Sequence, residues 1–298
     1  MKKYLSLTVL SYVAIILIWS TTPLAIKWSI VGVDYITGLS IRMFIGSSIL
    51  ILLALILRTK IPLDRNSLKV YLASSLGIFG AMFLVYWGAQ GINSGLISVI
   101  YGLSPMITSI ITSTIFQQEE MTIGKIIGAS LGCLGLVIIF YEQIDSQNTM
   151  LIPALAVLAS VTLHAYSAIW IKSIPGKRSA IQITTGGLVL SLPLFLIIFI
   201  FGAQPITTEI PIKTIISILY LGVMGSVVGF ISYYYALSKL KASTVSLVLF
   251  ITPVCALVLG KTFNQEIINN QVIYGTATIL LGLIVHQKIY LKLRLNLN

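Results

Sequence analysis

The chain reads as a series of apolar runs of about twenty residues, each closed by a short polar break. These runs predict helices over about Leu5–Ser29, Asp34–Leu57, Leu68–Gln90, Gly95–Phe116 and Ile123–Tyr141. After the polar stretch EQIDSQNTM, five more follow at Leu151–Lys172, Ala180–Phe201, Ile212–Ser238, Ser243–Thr262 and Gln271–His286. Runs of this length match the hydrocarbon thickness of a bilayer when helical and are too long for barrel strands. Backbone groups in lipid must pair within their own segment, which leaves helices as the fitting structure. The first run has the basic start and apolar core of a signal peptide. Its length, the lack of a clean small-residue cleavage site and the runs behind it point instead to an uncleaved anchor.

The pattern occurs twice. Ser94–Ile138 (SGLISVIYGLSPMITSIITSTIFQQEEMTIGKIIGASLGCLGLVI) matches Ala242–Val285 (ASTVSLVLFITPVCALVLGKTFNQEIINNQVIYGTATILLGLIV). Pro105 meets Pro253 at an offset of 148, and Glu119 meets Glu266 at 147, so one residue is gained or lost between them. Each copy is an apolar segment with a central proline, a Gln-Glu break and a second segment with spaced glycines. Such internal repeats mark secondary transporters. The organisation that follows is a first five-helix repeat over 1–141, a hinge loop over 142–150 and a second repeat over 151–298.

Composition agrees. The chain of 298 residues is 57% hydrophobic and 9% charged, with mean hydropathy +1.01. A water-soluble chain of this size carries about a quarter charged residues. The net charge of +11 does not point to nucleic acid, because the basic residues sit in short loops. With the N-terminus placed in the cytoplasm, fifteen of the nineteen Lys and Arg residues fall on that side. Both termini are therefore expected inside, with the protein in a bacterial inner or plasma membrane. Five spans per half force the second half to lie upside down relative to the first, an inverted repeat.

The WSTTPLAIKW end of the first helix, Arg42 in the second, the YWGAQ end of the third and the two Pro…Gln-Glu…Gly…Gly units together resemble the drug/metabolite transporter superfamily. More narrowly, the chain is similar to ten-helix members with two EamA-type domains. The resemblance implies an all-α integral membrane protein of ten transmembrane helices and a carrier, not an enzyme. That family moves amino acids, sugars, purines, vitamins and drugs. The first expectation is export of a small amphipathic, amino-acid-like metabolite by alternating access. The alternative is uptake or exchange of a nucleoside-like or vitamin-like compound.

Several residues are candidates for the solute site. Pro105 and Pro253 lack an amide hydrogen, so the carbonyls of Tyr101 and Leu249 lose their helical donors at mid-membrane. The kink either frees an acceptor toward a cavity or is patched by the hydroxyls of Ser104 and Thr252. Trp19 and His164 become equivalent when Lys27 is laid on Lys172. A titratable group within a span suggests a site; His164 either faces a cavity or bonds a neighbouring helix. Tyr86 and Tyr234, at an offset of 148, serve either as interface anchors or as inverted gates. Arg42 either snorkels outward, pairing with Asp34, or makes an anion contact, and snorkelling is the expectation. No carboxylate falls at mid-depth, which leaves exchange, facilitated diffusion or proton coupling through His164. The cavity is expected between the halves, with Trp19, Tyr86, Tyr101, Ser104, His164, Tyr234 and Thr252 binding solute and no fixed charge at its centre.

Other chemistry is not indicated. Cys133 and Cys255 lie in apolar runs and form neither a disulfide framework nor a metal site. No cofactor is expected. Gly260-Lys261-Thr262 lacks the earlier glycine of a phosphate loop, and no Ser-His-carboxylate set exists for hydrolysis. An intramembrane enzyme and a channel are the weaker classes. Partners are the lipid bilayer and a small-molecule substrate, with the chain a monomer or homodimer. Gly124, Gly128 and Gly132 let the fifth helix approach another closely.

Overall fold

The computed structural model describes residues 2–141, 150–206 and 209–295. Most of the expected hinge, the Thr208 loop tip and the last three residues lie outside the described residues. The described residues contain helices and no strand. Eight helices are long and apolar enough to cross a membrane. They are α1 (Lys2–Ser29), α2 (Tyr35–Ile56), α3 (Arg65–Ala89), α4 (Ser94–Thr114), α5 (Ile123–Phe140), α6 (Leu151–Ser173), α7 (Ala180–Gly202) and α8 (Ile212–Lys239).

The segment expected as one helix over Ser243–Thr262 is broken. A short turn (Ala242–Val245) passes into a 3-10 stretch (Ser246–Phe250), and α9 (Thr252–Asn264) restarts at Pro253. α10 runs Asn270–Leu295, with its apolar part over Asn270–His286.

Polar side chains set the helix starts. The Asp34 carboxylate accepts from the amides of Ile36 and Thr37 at 2.9 and 3.1 Å and caps α2. Ser179 and Gln182 form a reciprocal capping box at α7. Asp64 caps α3 and pairs with Arg178 at 3.2 Å. The Ser67 hydroxyl and amide, and then Arg178, hold its carboxyl below the usual range. Its capping is therefore present at neutral pH and is lost as pH falls through that lowered pKa.

The halves end their proline-bearing helices in the same way. Gln117 and Gln265 are both left-handed, at φ of 51° and 52°. The amides of the next residues reach back to the carbonyls of Thr112 and Gly260 at 3.0 and 3.1 Å. These caps share the prolines' offset of 148, so the extra residue falls after the cap, just before Glu119.

Packing repeats when the halves are exchanged. α1 packs on α8 as α6 packs on α3, and α1 on α9 as α6 on α4. α2 meets α7, α4 meets α9, and α5 meets α10 along most of its length. The last contact is made by glycines. A Cβ on Gly135 would stand 2.6 Å from the Gly275 carbonyl oxygen, and one on Gly128 2.7 Å from that of Gly282. Gly128 and Gly135 thus meet α10 of the same chain, while a Cβ on Gly132 would meet Met106 and Leu103 of α4.

The outer faces are apolar and bare. Leu10, Leu52, Ile197 and Phe201 are 64, 57, 52 and 84% exposed. The interior holds serines, threonines, His164 and Arg42. This arrangement belongs in lipid.

Gly135→Val is expected to lower the thermal unfolding midpoint of detergent-purified protein, at a cost of about 1–3 kcal/mol from overpacking against a backbone that cannot yield. Ile126→Val, on the exposed side of α5, is expected to leave it unchanged.

Candidate functional site

Four of the segments bordering the centre, α3, α4, α8 and the entry to α9, depart from α-helix there. α3 widens into a π segment at Leu76–Gly80 and α8 into one at Leu221–Gly229. α4 breaks over Gly102 and Leu103, where bonds run three residues back, as from the Leu103 amide to the Ile100 carbonyl at 3.0 Å. Such breaks free backbone groups that water cannot reach, and neighbours answer for them. The Ser160 and Ser167 hydroxyls of α6 donate to the Ala81 and Ala73 carbonyls of α3 on either side of its π segment, both at 2.6 Å.

A cavity lies among the interruptions. Trp19, Thr22, Pro23 and Ile26 of α1 line it, with Met82 and Val85 of α3, Ile97, Ser98 and Tyr101 of α4, and His164 of α6. Gly225 and Phe230 of α8, Leu249 and Thr252 complete it, together with Arg42 of α2. The hollow measures about 60 Å³, small beside the usual volume of a small-molecule site.

Trp19 and His164 meet at 5.5 Å between ring centroids in an edge-on contact. The Tyr233 ring packs on both, at 5.1 Å from Trp19 and 4.9 Å from His164. Tyr101 shares a 2.7 Å hydrogen bond with Ser160, which fixes its hydroxyl against α6. Thr252 is fully buried, and its hydroxyl has no hydrogen-bond partner among the described residues.

Arg42 corrects two expectations. It does not snorkel to the surface or pair with Asp34. It is 2% exposed, its Nε donates to Ser226 at 3.1 Å, and its Nη1 donates to the Tyr86 hydroxyl at 3.4 Å. The Asp34 carboxylate is occupied by its cap, by the Thr37 hydroxyl and by the Gln204 amide. The cavity therefore does carry a fixed cation. Gly225 in the π segment makes room for it, since a Cβ there would lie 2.9 Å from Nη2. When the Asp34 cap is laid on the Ser179 cap, an offset of 145, Arg42 falls on Gly187. The cation is present in one half alone.

The other candidates divide. Tyr86 is fully buried behind Arg42 and bonds Ser29 at 3.4 Å. Ser104 is buried beside the α4 break but does not line the cavity. Tyr234 lies away from it; its hydroxyl meets Ser74 at 2.8 Å, and its ring borders a second cavity with Lys172, Lys177, Arg178 and Lys239. The ring that packs on Trp19 and His164 from behind the cavity wall is its neighbour Tyr233, and only the helix azimuth separates the two. Lys27 and Lys172 do share a role. Each ammonium caps the end of the third helix in its own half, at the Ala89 carbonyl (2.7 Å) and the Leu237 carbonyl (2.9 Å). Among the described residues no group of three or more His, Cys, Asp or Glu could hold a metal.

The model of the EamA-like transporter family matches residues 6–141 and again 151–286. An uncharacterised transporter of Archaeoglobus fulgidus is 29% identical, over 96% of this chain and 98% of its own. The uncharacterised transporter YoaV of Bacillus subtilis is 28% identical, over 93% and 95%. A "probable terminal-alkyne amino-acid exporter" of Streptantibioticus cattleyicolor is 24% identical, over 88% and 87%. A solved crystal structure shares the fold at a TM-score of 0.69 and 16% identity, over 94% and 97% of the two chains.

Trp19→Ala and Tyr101→Ala are expected to weaken solute affinity by about 1–3 kcal/mol each, roughly five- to a hundred-fold. Expression and folding should hold. Tyr274→Ala, 65% exposed on α10, is the control that leaves affinity unchanged. Equal transport by all three variants would place the site elsewhere.

Proposed function

The chain belongs to the EamA-like transporter family, of the drug/metabolite transporter superfamily, and on that premise we propose that it exports a small amphipathic, amino-acid-like metabolite by alternating access. It is an integral membrane transporter; the solute, direction and mechanism are the reading proposed here. The observation that carries it is the cavity of aromatic rings, hydroxyls and one guanidinium lying where α1, α3, α4, α6, α8 and α9 are each adjacent to the centre. Such a lining suits a flat or aliphatic body with a small polar head. Resemblance to the exporter named above supports the solute class and the direction.

In this reading residues 1–141 and 151–298 are two five-helix repeats, inverted about an axis in the membrane plane. The contacts that recur on exchanging halves support it, as do the paired caps at Lys27 and Lys172. Rocking one half against the other opens the cavity to each side in turn. The breaks in α3, α4, α8 and before α9 supply deformable backbone at the depth where the walls must part. Both termini lie in the cytoplasm, on the face carrying Arg58, Lys60, Lys177 and Arg178.

A counterflow screen of metabolites in proteoliposomes tests the solute class. Accumulation of labelled amino acids against a preloaded pool is expected; accumulation only of nucleosides or vitamins would turn the reading to its alternative. Reporter fusions after Asn66 and Lys177 should read cytoplasmic, and fusions at Ser146 and Thr208 external. A cytoplasmic Ser146 would end the inverted topology. For coupling, His164 lies among rings and has no carboxylate among the cavity's lining residues. Transport by His164→Gln that keeps its full dependence on a pH gradient would exclude proton coupling through the imidazole.

A further inference from the structure

We propose that Arg42 is the subsite for a single carboxylate, and that the solute's own anion is the counter-ion this buried guanidinium lacks. The inference rests on the cavity being the solute site and specifies the head group that site selects.

Five observations converge on it. Arg42 is 2% exposed, yet it takes part in no ion pair among the described residues, where the pairs are Lys125–Glu119 and Arg178–Asp64. Its partners are neutral hydroxyls, Ser226 and Tyr86. A guanidinium keeps its charge and offers five donors in a planar fork; one N–H each of Nε and Nη1 is engaged by Ser226 and Tyr86, which leaves the rest of the fork for a solute, and Nη2 packs against Gly225. No Asp or Glu lines the cavity, so no protein carboxylate competes for that fork. Finally, Thr252, on the same wall set, buries a hydroxyl with no partner.

The placement follows the chemistry. Burying a charge without a partner is costly, so a guanidinium held this way favours an arriving anion strongly. A carboxylate matches the fork with two parallel bonds. One guanidinium neutralises one negative charge, and the remaining lining is mostly apolar, so a second charge on the solute would stay unpaired. The absence of a cation at Gly187 makes this subsite one-sided: the carboxylate lies toward Arg42, and the solute body extends toward Trp19, Tyr101 and His164.

The test uses full-length protein in detergent and thermal unfolding as the readout, with sodium chloride matching ionic strength. The probes are the protein amino acids, each beside its C-terminal amide, and the same skeletons as acids without the amino group. At least one acid should raise the unfolding midpoint while its amide does not. Arg42→Gln should lower the apparent affinity for that acid on the order of tenfold or more, and Arg42→Lys should restore part of it. Empty Arg42→Gln protein should unfold no lower than the wild type, because an unpaired buried charge has been removed; a bracing role for the arginine would lower it. Gly225→Ala keeps the charge but crowds Nη2, and should weaken the same acid if the glutamine variant does not fold. Amides as effective as acids, a full shift in Arg42→Gln, or no acid of either set acting would overturn the proposal. Amine-free acids acting through Arg42 while amino acids fail would leave the carboxylate subsite standing and overturn the amino-acid reading.

Discussion

A backbone in hydrocarbon must satisfy its own hydrogen bonds, and the breaks within the described helices lie inside the bundle, where neighbours are at hand. The π segments of α3 and α8, the break in α4 and the 3-10 entry to α9 all lie inside the bundle. Ser160 and Ser167 donate to the Ala81 and Ala73 carbonyls that flank the π segment of α3. Lysines meet those at the ends of α3 and α8. The lipid-facing helices α2, α5 and α7 carry no such break.

The site is a by-product of the same constraint. Where helices are interrupted, small residues and hydroxyls must gather, and the walls cannot close as tightly as Leu on Leu. Gly225 belongs to the π segment of α8 and is also the space that Arg42 occupies. The same local geometry therefore loosens α8 and admits a cation to the centre. Aromatic side chains close the remainder, with Trp19, His164 and Tyr233 in mutual contact.

Helix positions were legible because long apolar runs and Asp or Ser caps state them directly; α2, α5, α6 and α7 begin within a residue of expectation. The doubled proline motif made the repeat legible too. Azimuth was not. These helices are apolar on every side, so composition gives no face, and Tyr233 cannot be told from Tyr234 without neighbours. Arg42 was misread for the same reason. An arginine two turns from a helix end can reach water by snorkelling, and only Ser226, Tyr86 and the gap at Gly225 turn it inward. Trp19 and His164 were paired by the repeat, and their contact shows that these equivalent positions converge at the centre.

The glycine seam between α5 and α10 bears on synthesis. Gly135 reaches the ribosome's exit 140 residues before Gly275, the residue whose carbonyl it rests against. At chain-growth rates of about 5–20 residues per second, that interval lasts about 7–28 s. During it the α5 face that carries Gly128 and Gly135 waits for its partner, since among the described residues α10 is the helix that packs along most of α5. The first half thus completes this contact only once α10 has been made, so a helix of the second half closes the packing of the first.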